Sequence, residues 1–277
     1  MDMKLLNMPK ILFFAHDPGG ANAIKPLIKI FKEKKYIVFA YSKGPATKIL
    51  NGLPLNDNSD LFSLLLNIMP DILITGTSAN DFTEKYLWEE AKKLNIKSIA
   101  ILDHWANYGI RFSKYGLKSI DKYISNKSFE FLPSYICVMD DFAKSEMINE
   151  GISPDIIYPF GNPHFFEIKN KAENIDVKKI RSKFLQTDDE LLITFASEPY
   201  EEDYGVSPER VALKDIYSCL KNINLKTRLV IKLYPKEKIN KYVNYSDCFI
   251  ENEIDSISLI SASDIVISMT SMVLIES

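Results

Sequence analysis

Short apolar runs that stop at glycine-rich or polar turns and give way to amphipathic stretches recur along this chain, and that alternation leaves few folds open. Lys10–Ala15 (KILFFA) ends at a Pro-Gly-Gly turn, and Ala21–Lys34 follows with Ile24, Leu27, Ile28 and Phe31 at helical spacing. Tyr36–Tyr41 is the next apolar run, so the chain opens with a strand, a tight turn, a helix and a strand, the signature of a parallel sheet. The pattern continues through a strand at Asp71–Thr75 and a helix at Asp81–Leu94 that is expected to turn Tyr86, Leu87 and Ala91 inward. Strands at Ser98–Leu102 and Tyr135–Met139 follow, then a helix at Asp141–Glu150 that Gly151 terminates, then a strand at Ile156–Phe160.

From Glu167 to Asp189 the sequence turns polar and lysine-rich, with one amphipathic stretch at Val177–Phe184, and it reads as an interdomain connection. The alternation then restarts. Leu191–Ala196, Leu229–Leu233 and Asp264–Ser268 read as strands, Ser207–Asn222 and Ile257–Ser261 as helices, and Ser271 as the start of one more helix. The expected fold is therefore α/β with two Rossmann-like halves, residues 1–166 and 167–277. The last helix carries no terminating signal before Ser277 and no closing strands follow it, so the second half is expected to be incomplete.

A net charge of −3 over 277 residues, with acidic residues interleaved among the lysines, argues against general nucleic-acid binding, which needs clustered positive charge. No apolar run approaches the roughly 20 residues that span a bilayer, and Met1–Lys10 lacks an apolar stretch of signal-peptide length. A cytoplasmic protein is expected, with peripheral association at the inner membrane face left open. Cys137, Cys219 and Cys248 are far apart and show no metal or disulfide spacing, so buried thiols are expected.

The residues that could carry chemistry fall just after strands, where open α/β sheets gather ligands. His16-Asp17-Pro18-Gly19-Gly20-Ala21-Asn22 joins the first strand to the first helix. Its glycines allow close backbone approach, and it lacks the dinucleotide fingerprint, so no nicotinamide cofactor is expected. A plain turn with Asp17 or Asn22 as a cap is the competing reading. Asp103-His104-Trp105-Ala106-Asn107-Tyr108 follows another strand, and Arg111 beyond it suits an anionic group. Gly161-Asn162-Pro163-His164 reads mainly as a turn at the domain junction. All three histidines lie in these loops and are the natural acid/base candidates, with no spacing that calls for a metal. In the second half, Glu198 follows a strand, Lys232 ends another, and Thr270 and Ser271 open the last helix, where backbone N–H groups and hydroxyls suit a phosphate or simply cap the helix. Glu276 lies one turn further, placed to accept from ribose hydroxyls.

Taken in order, these second-half signals resemble the GT-B superfamily of nucleotide-sugar enzymes. DIVISMTSMVLIES is similar to that family's donor signature, and VIKLYPKE resembles its strand end, with Tyr234 where a histidine is common. YICVMDDFAKSEMINEGI and the IIYPFGNPHF that follows are similar to the end of the first domain in non-hydrolysing UDP-N-acetylglucosamine 2-epimerases and related transferases; polysaccharide glycerophosphotransferases are similar as well. The first loop, HDPGGAN, departs from the epimerase pattern, which places the chain nearer the bacterial surface-polysaccharide transferases.

The resemblance implies a metal-independent glycosyltransferase that uses a nucleotide-activated sugar and no further cofactor. The second domain would hold the donor through Lys232, Thr270, Ser271 and Glu276. The first would hold a saccharide or lipid-linked acceptor against His16, Asp17, Asp103 and His104, with Gly19, Gly20, Asn22, Arg111, Asn162, His164 and Glu198 lining the cleft. His16 or Asp17 would take the acceptor proton. Sugar 2-epimerisation, phosphoglycerol transfer from a CDP-linked donor and a non-catalytic scaffold are the alternatives.

Overall fold

The computed structural model describes residues 8–201, 205–234 and 237–277. The chain divides into two compact units, Met1–Glu167 and Ile168–Ser277.

The first unit is built on strands β1 (Lys10–Ala15), β2 (Ile37–Ser42), β3 (Leu53–Pro54), β4 (Ile72–Thr75), β5 (Lys97–Ile101), β6 (Tyr135–Val138) and β7 (Ile157–Pro159). They form one sheet in the order β3-β2-β1-β4-β5-β6-β7, every neighbouring pair parallel. The chain steps outward from β1 to β2 and β3, then returns to β4 on the other side of β1. The strand order therefore reverses between β1 and β4, the place where open α/β sheets bind ligands.

Alternate residues of β1 explain why both sheet faces are covered. Leu12 and Phe14 enter a core with Leu65, Leu73, Leu87, Trp88 and Ile136, whereas Ile11, Phe13 and Ala15 enter a second core with Ala21, Ile24, Leu50 and Ile74. Helix α1 (Pro18–Glu33) covers the second face, with Leu27, Ile28 and Phe31 packed at its margin as their spacing requires. On the other face lie α2 (Leu61–Ile68) and α3 (Thr83–Lys93), which pack against each other. The remaining helices of this unit are α4 (Ile120–Ser125) and α5 (Asp141–Glu150), the latter closed by Gly151 at φ 110°.

Three expectations are corrected. Tyr86 is 47% exposed, and Trp88, at 1%, fills the core place on α3. The indole N–H donates to Thr75 at 2.9 Å, which satisfies the polar atom that would otherwise resist burial. The stretch beginning at Glu167, where the division between the units falls, carries a helix that was not expected there, α6 (Pro163–Ala172). Its start is set by Asn162, whose side-chain oxygen accepts from the His164 N–H at 3.0 Å, and by Pro163 in the first turn, where a missing N–H costs nothing. Finally, Cys219 is exposed, while Cys137 and Cys248 are partly covered.

The second unit repeats the plan on a smaller sheet. Strands β8 (Leu191–Ala196), β9 (Thr227–Lys232), β10 (Phe249–Glu251) and β11 (Ile265–Ile267) lie in the parallel order β10-β9-β8-β11. Ile193, Phe195, Leu229 and Ile231 face Leu213 of helix α8 (Pro208–Asn222) and Tyr242. Leu192 and Val230 face Phe184 and Leu259, under α7 (Val177–Arg181) and α9 (Ser256–Ala262). The order reverses between β8 and β11, and α10 (Val273–Glu276) follows β11.

Candidate functional site

At the β1/β4 reversal the backbone is packed so closely that only glycine fits. A side-chain carbon on Gly20 would stand 2.9 Å from the Gly76 Cα, so the first turn of α1 rests directly on the loop after β4. Asp17 occupies the cap position of α1 yet makes no capping hydrogen bond. Its carboxylate turns to the imidazole of His16 instead, with Nδ1 and Oδ1 2.6 Å apart. This pairing leaves Nε2 as the ring nitrogen that Asp17 does not engage, and a carboxylate so placed can fix the tautomer of an imidazole.

Nε2 is not alone. Asp81 Oδ2 stands 3.6 Å from it, and the Lys43 ammonium lies 2.7 Å from the same carboxylate and 2.7 Å from Asp57. Gly44 adopts φ +57°, and any side chain there would run into the imidazole. The His16 backbone N–H donates at 2.9 Å to Glu84 in the first turn of α3, a carboxyl only 1% exposed. The electrostatics follow from these contacts. The Asp17 hydrogen bond holds the His16 pKa above its usual value, burial opposes it, and the charges of Asp81, Asp17 and Glu84 add to it. Burial pushes Asp81 up, but hydrogen bonds from Lys43 and Thr83 outweigh it and leave the carboxyl below the usual range. Burial raises Glu84 to about 8, against the His16 N–H bond that favours its charge.

The loop after β5 joins the same end of the sheet. Asp103 packs its carboxylate where a Gly19 side chain would otherwise stand, against the first turn of α1. Arg111 donates to Asp103 at 3.1 Å, to the Thr77 carbonyl at 3.0 Å and to its hydroxyl at 2.9 Å, so this guanidinium ties the loop after β5 to the loop after β4. Arg111 is therefore already paired within the unit, although its Nε is buried with no hydrogen-bond partner among the described residues. Burial lowers the His104 pKa and Arg111 lowers it further, against Asp103, which keeps this imidazole neutral near pH 7. Trp105 donates to Asp140, the capping residue of α5, at 2.7 Å and stacks on Phe165 with ring centres 6.2 Å apart. That stack brings the first turn of α6, with Asn162 and His164, beside the β5 loop. Neither residue contacts His16 or Asp17 through a described hydrogen bond. Asn22 lies half-buried within the first turns of α1.

In the second unit, Glu198 follows β8 and reaches the loop after β11. One carboxylate oxygen accepts from the N–H groups of Met269, Thr270 and Ser271 at 2.9, 2.7 and 3.1 Å and from the Ser268 hydroxyl at 2.9 Å, while the other accepts from the Thr270 hydroxyl at 2.6 Å. The N–H groups read from the sequence as a phosphate seat thus hold an anion of the chain's own. Burial would raise the Glu198 pKa, but these donors lower it overall. Lys232, only 9% exposed, ends β9 in register with Ala196 of β8; burial lowers its pKa, opposed by Glu251 and Asp255. Glu276 sits at the end of α10.

The loop after β9 is anchored by Glu237, which accepts from the Ser197 and Tyr242 hydroxyls, the Tyr234 N–H and the Lys241 ammonium. Pro235 and Lys236, the middle of the VIKLYPKE motif, lie outside the described residues, as does the segment 1–7.

Lys43, Thr77, Asp81 and Glu84 were missed from sequence, whereas Glu237 closes the VIKLYPKE motif. Their packing against the strand ends, and not their local sequence, marks those four out. Among the described residues no group of three or more histidine, cysteine, aspartate or glutamate side chains is placed to hold a metal, and no helix is long and apolar enough to cross a membrane.

Two Rossmann-like units, each a parallel sheet with polar loops at its reversal of strand order, define the GT-B-like class of fold. No family model matches this chain, and no curated protein does. Solved structures do. The UDP-GlcNAc 2-epimerase of Neisseria meningitidis, bound to UDP-GlcNAc, is 15% identical with a TM-score of 0.66, over 94% of this chain and 77% of that one. The UDP-GlcNAc 2-epimerase of Methanocaldococcus jannaschii is 16% identical with a TM-score of 0.65, over 96% and 80%. A glycosyltransferase from Rickettsia africae is 16% identical with a TM-score of 0.60, over 94% and 72%. At these identities the likeness establishes the fold.

Proposed function

We propose that this chain is an enzyme of nucleotide-activated sugars, and that it transfers the sugar to a saccharide or lipid-linked acceptor in bacterial surface-polysaccharide synthesis. The observation that carries the reading is the Asp17–His16 pair, 2.6 Å apart at the β1/β4 reversal, with Nε2 of the imidazole left to act. Asp17 fixes the tautomer, and Nε2 removes the acceptor hydroxyl proton as the hydroxyl attacks the anomeric carbon and the nucleoside diphosphate departs. Asp103 and Arg111 brace the loop that carries His104, and His104 stays neutral beside them. In the second unit the N–H groups of residues 269–271 would take the leaving diphosphate once the Glu198 carboxylate has moved off them, with no metal called for in the step. Lys232 and Glu276 remain proposed donor contacts on the strength of the sequence resemblance. The fold supports the reading because solved neighbours described as bound to UDP-GlcNAc share it.

His16→Ala should lower turnover by roughly 10²–10⁴-fold while nucleotide binding is kept. Unchanged turnover in that variant would remove the imidazole from the mechanism. A second reading, 2-epimerisation, is favoured by the number of 2-epimerases among the structural neighbours. Product analysis separates the two, since an epimerase converts a nucleotide sugar with no acceptor present.

A further inference from the structure

The lysines that alternate with acids along the sequence are not evenly matched once the chain is folded. Lys93, Lys114, Lys171, Lys221 and Lys226 each meet a carboxylate, at 2.7 to 3.4 Å. Along α1 the lysines do not. Lys25, Lys29 and Lys32 are exposed, and spacings of four and three residues set them on one face of the helix. Lys34 and Lys35 follow at its end, and Lys48 is exposed in the turn after β2. Among the described residues none of these lysines forms an ion pair. Glu33 is the one acid that α1 carries, and the segment 43–51 carries none.

Lys25, Lys29 and Lys32 stand over a groove of about 310 Å³ between α1 and residues 49–51. Its floor is apolar, with Ile28 and Ile49 half-buried and Leu50 buried. Basic side chains around apolar surface suit a layer of phosphates with hydrocarbon behind it. Lysine also fits such a partner, because a compact charge on a flexible stem asks for no fixed geometry in what it meets. A nucleic acid would call for arginine or stacking aromatics, and the groove is lined by neither. The chain as a whole carries −3, so an anionic surface repels it except at a face of this kind.

We propose that this face of α1 docks the protein on an anionic bilayer, with Lys25, Lys29 and Lys32 on the lipid phosphates and the groove against the acyl boundary. The docking holds whichever reaction the loops support. Under the transfer reading its position matters, because Pro18, next to the Asp17–His16 pair, opens the same helix. Lys25 stands seven residues further along, roughly 10 Å at 1.5 Å a residue, so a lipid-linked acceptor held in that bilayer would lie near His16.

Flotation of the full chain with phospholipid vesicles tests the proposal. The protein should rise with vesicles of phosphatidylcholine and phosphatidylglycerol and stay behind with phosphatidylcholine alone, and added salt should release it. Lys25→Ala, Lys29→Ala and Lys32→Ala together should lower partition onto the anionic vesicles by roughly 100-fold. Lys93→Ala, Lys114→Ala and Lys226→Ala together, which remove paired lysines, should change it by less than about twofold. All six side chains are exposed, so neither variant disturbs the core. No binding to either vesicle, equal binding to both, unchanged binding in the first variant or equal loss in the two variants would overturn the proposal. So would release by inorganic phosphate at an ionic strength where chloride leaves the protein bound, which would mark a site for the free ion.

Discussion

Asp17 shows how one side chain can be diverted from a structural task to a chemical one. A residue of its type just before a helix ordinarily accepts the first free N–H groups. Here Pro18 removes one donor, the Asp103 carboxylate approaches the same turn at Gly19, and Asp17 bonds the imidazole. Asp17→Asn should therefore lower the His16 titration midpoint, because the hydrogen bond from Asp17 is the largest influence holding it up; an unmoved midpoint would show that the pair does not form in solution. Glu84 carries the opposite sign from most acids. Its folded pKa of about 8 lies above the ordinary value of 4.5, so between those limits the folded state binds more protons and stability falls as pH rises. The slope reaches at most about 1.4 kcal/mol per pH unit. Urea unfolding at pH 5 and pH 7.5 should show this loss in the wild type and not in Glu84→Gln. The reverse effect of Lys85, also near 8 but lowered by burial, acts above that window, where its unfolded form still holds a proton.

At the scale of elements, the sequence was most legible where period and punctuation agree. The runs Lys10–Ala15 and Leu191–Ala196 became β1 and β8 with those bounds, and Asp141–Glu150 became α5, since an apolar strand or a glycine stop leaves little choice. Helix α6 was not read from sequence because lysines and asparagines hide a helix whose start lies in the Asn162-Pro163 pair, a signal that reads equally as a turn. Removing that cap with Asn162→Ala should cost about 1 kcal/mol in thermal or chemical unfolding. Gly20→Ala should cost more, roughly 1–3 kcal/mol, since the added carbon meets backbone on Gly76 and not a side chain that can swing away. Equal stability of Gly20→Ala and the wild type would mean that α1 is free to shift off the β4 loop. The site was half legible. His16, Asp17, Gly19, Gly20, Asp103 and Arg111 stood out as polar residues after strands. Lys43, Asp81 and Glu84 did not, because what marks them is burial against strands distant in sequence.

At the scale of the molecule, both units place their polar loops at a reversal of strand order, between β1 and β4 and between β8 and β11. The two reversal points hold different chemistry. The first gathers His16, Asp17, Lys43, Asp81 and Glu84 into a cluster of paired charges, and the second gathers backbone donors around the Glu198 carboxylate. A centre for proton removal and a seat for an anion are what transfer from a nucleotide-linked donor requires, and that division is the central claim. Isothermal titration calorimetry with UDP, CDP, GDP and their sugar conjugates tests it most directly, run on the wild type and on Glu198→Gln. The account predicts saturable binding of one nucleotide, tighter in Glu198→Gln because the seat no longer holds a competing charge. Absence of binding by every nucleotide in both proteins would contradict it.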